Sequence, residues 1–213
     1  MLVSTIKSYT MNWQEFTALL LLATAMSFSP GPNTTLATAL GANHGLRPAL
    51  PFIFAVPVGW CALLLVCSMG LGALLLAVPA LSWAVKVIGV AYLLWLAFKI
   101  YRSRPPGETD AAPLTVSFKQ GVALQFVNIK AWMLALTIVS SWIAGRTDPA
   151  VRLAVVLPVM LVYAFASNLT YALMGSLLRD WLRGPANTNR RLAWFNRVMA
   201  GVLVLTAIWM LFA

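Results

Sequence analysis

The stretch Ser29-Pro30-Gly31-Pro32-Asn33 interrupts an apolar run that is otherwise long enough to cross a membrane as a helix. Proline lacks a backbone N–H group and clashes with the preceding turn, and glycine adds conformational freedom, so a regular helix cannot continue through these residues. Backbone groups freed at membrane depth must be buried in protein or face a polar cavity. The stretch therefore predicts a broken membrane helix beside a binding site, the arrangement that many transporters use.

The composition of the whole chain is that of a helical membrane protein. Of its 213 residues, 61% are hydrophobic and only 9% are charged, whereas soluble domains carry about 25% charged residues. The net charge of +10 does not indicate nucleic-acid binding, because the charges lie between apolar runs and form no basic face. The chain has one histidine, and its two cysteines lie inside a single apolar run. We therefore expect no metal site, no cofactor and no thiol chemistry.

Six apolar runs of about 20 residues or more, the length that crosses a bilayer, divide the chain. They cover approximately residues 13–43, 47–68, 80–101, 118–144, 150–178 and 192–212, and Pro-Gly-Pro breaks the first. A short apolar link, 69–79, and a polar linker, 102–117, join successive runs. The predicted fold is a single all-α polytopic membrane domain with about six transmembrane helices, in which repeat one covers about 13–101 and repeat two about 118–213.

The two halves carry similar features in the same order. Segment 83–87 of the third run resembles segment 194–198 of the sixth, and residues 31–33 of the first run correspond to residues 128–130 of the fourth. Because three spans is an odd number, the two repeats must have inverted topology. Interrupted helices at matching positions of inverted repeats indicate a binding site near the membrane midplane.

Lysine and arginine are distributed unequally between the two predicted sides of the membrane. With six spans, both termini lie on one side, which carries only Lys7, Arg146 and Arg152. The opposite side carries ten basic residues: Arg47, Lys99, Arg102, Arg104, Lys119, Arg179, Arg183, Arg190, Arg191 and Arg197. The positive-inside rule makes this second side cytoplasmic, so both termini are expected outside.

The first break supplies four candidate binding residues. Pro30 and Pro32 release backbone carbonyl groups, Gly31 permits close approach, and Asn33 begins a half-helix that its side chain can cap. The N-terminus of such a half-helix offers free N–H groups and the positive end of a dipole, which suits a carboxylate. The alternative is a kink that only helps helices to pack, but a single proline would suffice for a kink.

Lys130 and Asn128 are the candidates in the fourth run. A charge at membrane depth costs about 3 kcal/mol or more and usually faces a cavity. Lys130 lies about 18 Å along a helix from Phe118, which is too deep for its ammonium group to reach the interface. Lys86, by contrast, lies near the end of its run and is interpreted as an interfacial lysine. Asn128 can bind a ligand or the neighbouring break, or make a contact between helices.

Four further polar residues are candidates for the pathway or for energy coupling. Glu15 is the only carboxylate near a span, so coupling would use Glu15, Lys130 or the charge of the substrate, or be absent. Asn168 and Tyr171 lie deep in the fifth run, where lining a pathway and bonding between helices are equally good interpretations. Gln125, in the fourth run, completes the set.

Several of these motifs resemble the LysE/RhtB superfamily of amino-acid exporters. They are Ser29–Asn33, the turn Asn43–Gly45 followed by Arg47, Gly89–Leu96, Phe118-x-x-Gly121, and Asn128-x-Lys130-Ala131-Trp132. The resemblance implies about six helices, a bacterial inner-membrane location, a homodimer, and export driven by the proton-motive force. The family commonly has Asn-Pro-Lys where this chain has Asn128-Ile129-Lys130, so we expect the second break to be softer than the first.

The sequence therefore predicts a secondary transporter and not an enzyme. An amino acid or related small zwitterionic metabolite would bind between the first break and Asn128/Lys130. Lys130 and half-helix N–H groups would receive its carboxylate, while freed carbonyl groups with Asn33 or Asn128 would receive its ammonium group. The scarcity of intramembrane acids favours neutral amino acids. The alternatives are a non-transporting membrane scaffold or accessory subunit, and a small-solute channel.

Overall fold

The computed structural model describes residues 11–103, 114–184 and 189–212, and within these ranges the regular structure is helical. Two π-helical segments, Cys67–Leu71 and Val139–Ile143, extend the third and seventh helices. The α-helices are α1 (Trp13–Phe28), α2 (Pro32–His44), α3 (Leu46–Val66), α4 (Gly72–Ala77), α5 (Pro79–Arg102), α6 (Phe118–Val127), α7 (Ile129–Ile138), α8 (Pro149–Arg183) and α9 (Arg190–Phe212).

Four helical segments in the described residues are long and apolar enough to cross a membrane. They are Leu46–Ala77, Pro79–Arg102, Pro149–Arg183 and Arg190–Phe212. A fifth span results if α6 and Ile129–Ile143, which meet at a bend of 67°, are counted together. Helices α1 and α2 have 16 and 13 residues, or about 24 Å and about 20 Å, so neither alone crosses a hydrocarbon core of about 30 Å. The all-helical membrane fold is confirmed, with four or five candidate spans among the described residues, and the six crossings expected from the sequence stay a prediction.

The structure describes the first of the two predicted connections and only the ends of the second. The apolar link 69–79 is largely helical, because Gly70, at a φ of 95°, absorbs the kink and lets α4 follow α3 through the π-helical segment. Most of the polar linker 102–117 falls on residues 104–113, which lie outside the described residues. Its last residue, Ser117, caps α6 by accepting a hydrogen bond from the N–H of Gln120 at 3.3 Å.

Glycines allow two pairs of helices to approach each other closely. At Gly41 in α2 an added Cβ atom would collide with a backbone carbonyl of α8, and at Gly175 in α8 it would collide with one of α2. Helices α3 and α6 make a similar close approach at Gly59 and Gly121. These contacts fix each piece of a broken helix, α2 or α6, against a long helix from the other half of the chain.

A buried polar cluster, the asparagine cluster, joins α2, α5 and α9. It consists of Asn43, Ser103 and Asn196, each at most 4% exposed. The side-chain amide of Asn43 donates to Asn196 at 2.8 Å and the amide of Asn196 donates back at 2.9 Å, while the Ser103 hydroxyl donates to Asn43 at 3.1 Å. Since these groups satisfy one another, their burial holds three helix ends in one arrangement.

We expect Gly41→Ala to lower the free energy of unfolding by about 1–3 kcal/mol, because the added methyl group must push α2 and α8 apart. The measurement is thermal unfolding of the purified protein in detergent. The control is Gly201→Ala in α9, where an added Cβ atom meets nothing within 4 Å. That variant should be neutral or slightly stabilising. Equal unfolding temperatures for the two variants would contradict the close α2–α8 contact.

Candidate functional site

The first break consists of the three non-helical residues between α1 and α2. Gly31 is fully extended, with φ 179° and ψ −177°, and Pro32 is the first residue of α2, where a missing N–H group has no cost. The N–H group of Gly31 donates to the Thr34 hydroxyl at 3.0 Å, and this hydroxyl donates to the Gly31 carbonyl at 3.1 Å. The Thr34 side chain therefore fixes the start of α2.

Side chains from the second half of the chain hold the carbonyl groups freed at this break. The Lys130 ammonium group donates to the carbonyl and hydroxyl oxygens of Ser29 at 2.9 and 2.7 Å, and to the Pro30 carbonyl at 3.3 Å. The Tyr171 hydroxyl donates to the Phe28 carbonyl at 2.7 Å. Lysine has three protons to donate, so Lys130 engages all of them at the negative end of the α1 dipole.

The second break is centred on Asn128, which has φ −91° and ψ 103° and separates α6 from α7. Its side-chain oxygen accepts a hydrogen bond from the Lys130 N–H at 3.1 Å, and its carbonyl accepts one from Ala131 at 2.9 Å. The indole N–H of Trp132 donates to the freed Phe126 carbonyl at 2.8 Å. Although Ile129 replaces the family's proline, the helix still bends by 67°, because Asn128 caps α7 with its own side chain.

Both breaks line one cavity, which is enclosed further by side chains of α3 and α8. The N-terminal ends of α2 and α7 both reach it, through Gly31–Thr34 and through Asn128, Lys130 and Ala131, so the positive ends of two helix dipoles meet there. Its volume of about 60 Å³ holds a few water molecules and lies far below the roughly 300 Å³ of small ligand pockets. The described conformation must therefore widen before a solute enters.

A larger groove of about 570 Å³ lies next to the cavity and is also lined by Lys130. The first break and Asn128 line one wall, and apolar residues of α9, including Leu205, Trp209 and Met210, line the other. Lys130 thus stands between the cavity and the groove, and it is half-buried in this position.

The six predicted binding residues come together around this cavity and groove. Gly31, Pro32, Asn33, Asn128 and Lys130 line the cavity, and Pro30 lines the groove. Trp60 and Ser167 also line the cavity, but no sequence signal marks them, because both lie inside apolar runs without a break. Thr34 could have been identified from its position at the third residue of the half-helix.

Two of the four pathway candidates lie at the site as bridges between helices. Gln125 is fully buried and exchanges two hydrogen bonds with Asn33, at 2.9 and 3.1 Å, which links α6 to the start of α2. Tyr171 holds the end of α1 through the Phe28 carbonyl. Both side chains therefore join the two halves of the chain beside the breaks.

Asn168 lines the cavity directly and is only 2% exposed. Its side-chain amide donates to the Ala164 carbonyl, one helical turn earlier, at 2.8 Å. Its side-chain oxygen is buried and accepts no hydrogen bond.

Glu15 lies away from the cavity, in a group of charged residues that we call the Glu15 cluster: Glu15, Arg146, Asp148 and Arg152. Glu15 pairs with Arg146 at 3.3 Å and with Arg152 at 3.1 Å, and Arg152 also pairs with Asp148 at 3.0 Å. Arg152 is only 8% exposed. The cluster joins the start of α1 to the start of α8, which indicates a structural contribution, whereas a role of Glu15 in coupling stays a prediction.

The amino-acid sequence matches the LysE type translocator family over residues 24–213. The chain belongs to this family. The family indicates a transporter, and together with the apolar helices it indicates a multi-pass protein of the bacterial inner membrane. No solved structure matches the chain significantly.

Several relatives of this LysE type translocator share one description. The "Cysteine/O-acetylserine efflux protein" of Escherichia coli (strain K12) is 32% identical over 191 residues, which cover 88% of this chain and 91% of the relative. The protein of the same description from Salmonella typhimurium is 29% identical over 182 residues, covering 85% and 90%. The match therefore extends over nearly the full length of both relatives.

We expect Glu15→Gln to lower the free energy of unfolding by about 2 kcal/mol, because it removes the charge that pairs with buried Arg152. Thermal unfolding at low and high salt measures this. The loss should shrink at high salt, since ions screen the exposed Arg146 pair. Gln14→Ala, an exposed neighbour, is the control and should unfold like the wild type. An unchanged stability of Glu15→Gln would contradict the structural contribution.

Proposed function

We propose that this LysE type translocator is a secondary transporter that exports small neutral amino acids, such as cysteine or O-acetylserine, from the cytoplasm, driven by the proton-motive force. The observation that carries the proposal is the convergence of two helix N-termini and Lys130 at one cavity. The relatives, which are cysteine/O-acetylserine efflux proteins, support the substrate class. The driving force rests on the family resemblance alone.

In this proposal the substrate carboxylate binds at the two half-helix N-termini. The first N–H groups of a helix have no partner within it, so those of Asn33 and Thr34 are available to an anion. Lys130 lies beside them and would exchange some of its bonds to Ser29 and Pro30 for the carboxylate. Binding would then weaken the contact that Lys130 makes with the first break.

The lining of the cavity favours a substrate with an uncharged side chain. Val56, Trp60 and Met160 supply apolar surface from α3 and α8, and no aspartate or glutamate is among the described residues that line it. A cationic side chain would be placed near Lys130 without a counter-charge, which disfavours lysine and arginine as substrates.

We also propose the finer architecture: six crossings, two inverted three-helix repeats at about 13–101 and 118–213, both termini outside, and a homodimer. The positions of the two polar clusters support the crossings. The chain passes from the Glu15 cluster through α1 and α2 to Asn43, and later from Arg152 through α8 to Asn196. Alternating access would rock one repeat against the other.

We expect Lys130→Gln to reduce substrate exchange about 10-fold or more, because a charged hydrogen bond to the carboxylate is lost. The measurement is counterflow in proteoliposomes preloaded with unlabelled amino acid, with entry of labelled L-cysteine followed under reducing conditions. Lys86→Gln is the matched control, since Lys86 also lies in an apolar run but stands over Trp83 at 5.8 Å. It should exchange like the wild type.

The same assay separates the alternative functions. A scaffold or accessory subunit would give no exchange of neutral, basic or acidic amino acids. A channel would give flux that does not saturate and gains nothing from preloading. Equal exchange by Lys130→Gln and wild type would show that Lys130 does not bind the substrate, and the transport function would still hold.

A further inference from the structure

Asn168 lines the cavity, and its side-chain oxygen is a buried acceptor without a hydrogen-bond partner. Among the described residues that line it, this is the buried side-chain oxygen or nitrogen atom with no hydrogen-bond partner. The orientation of the amide follows from its neighbour: the nitrogen donates to the Ala164 carbonyl at 2.8 Å, so a flipped amide would bring two oxygen atoms together. Burying an acceptor without a donor costs stability, and a ligand that supplies the donor removes that cost.

The acceptors that the sequence suggested for a substrate ammonium group are already engaged by the protein. The Ser29 and Pro30 carbonyls accept from Lys130, the Asn33 oxygen from Gln125, and the Asn128 oxygen from the Lys130 N–H group. A substrate ammonium group could use them only by displacing these donors. Asn168 needs no such exchange, because its oxygen accepts nothing in the described conformation.

We propose that the side-chain oxygen of Asn168 accepts a hydrogen bond from the α-ammonium group of the substrate and makes this group a requirement for binding. The inference rests on the proposed function, since it assumes an amino acid in this cavity. The carboxylate and the ammonium group would then be read by different elements: the starts of α2 and α7 read the carboxylate, and α8 reads the ammonium group. A neutral amide oxygen suits a zwitterion, because it binds the ammonium group without adding a charge to the site.

The test compares L-cysteine with 3-mercaptopropionate, the same molecule without the amino group. Both compete against labelled L-cysteine for binding to the purified full-length protein in detergent, under reducing conditions. We expect the wild type to prefer L-cysteine by about 10- to 100-fold, the range of one hydrogen bond to a charged group. Leucine is similar in size to asparagine but has no acceptor. Asn168→Leu should therefore lower the affinity for L-cysteine by that factor and change the affinity for 3-mercaptopropionate by less than about threefold.

Two further variants show whether a change in preference comes from the loss of the Asn168 acceptor. Thr170→Val, on the same helix, removes an exposed hydroxyl that bonds only to the Ala166 carbonyl, and it should keep the wild-type preference. Asn168→Asp keeps an acceptor oxygen and should keep or increase the preference for L-cysteine. If Asn168→Leu does not give a monodisperse protein, Asn168→Asp decides alone, and a preference lost in it overturns the proposal.

The outcomes separate this inference from the proposed function. If Asn168→Leu weakens the binding of both compounds equally, Asn168 only shapes the cavity and the inference is wrong. If it leaves the preference unchanged, another acceptor reads the ammonium group and the inference is again wrong, while amino-acid binding stands. If the wild type binds neither L-cysteine nor any other neutral amino acid, the proposed function fails and takes the inference with it.

Discussion

A backbone carbonyl freed within a membrane-spanning helix must find a donor, since no water is available in the hydrocarbon region. The organisation of this protein around its two helix breaks follows from that constraint. Lys130 and Tyr171 supply donors to the end of α1, and Trp132 supplies one to the end of α6. For the first break, both donors come from the other half of the chain. The carbonyl groups of the first break are therefore satisfied only when the two halves pack together.

With the carbonyl ends of the breaks satisfied, the start of α2 still carries N–H groups without intrahelical partners. At the start of α7, Asn128 accepts hydrogen bonds from the N–H groups of Lys130 and Ala131. Both helix starts line the same small cavity. The Lys130 ammonium group holds the first break, and Lys130 also lines this cavity. In the proposed alternating access, this position would couple the geometry of the break to the occupancy of the cavity.

The remaining polar residues stabilise the arrangement away from the cavity. The asparagine cluster joins three helix ends through neutral side chains, so its strength does not depend on ionic strength. The Glu15 cluster joins the starts of α1 and α8 through charged side chains, and two of these, Glu15 and Arg146, lie close to the protein surface. Glycines at the α2–α8 and α3–α6 contacts let these helix pairs pack with their backbones close together.

The sequence by itself determined the helical membrane class and the break at Pro30–Pro32, because these depend on composition and backbone dihedral angles. The second break spans only Asn128, whose side chain caps α7, because Ile129 stands where the family has proline. Only the tertiary structure decided which polar groups are paired: Lys130 with Ser29, Asn33 with Gln125, and Asn168 with no donor for its oxygen. These pairs join residues about 100 positions apart, and the packing of distant helices, which no local pattern encodes, brings them together.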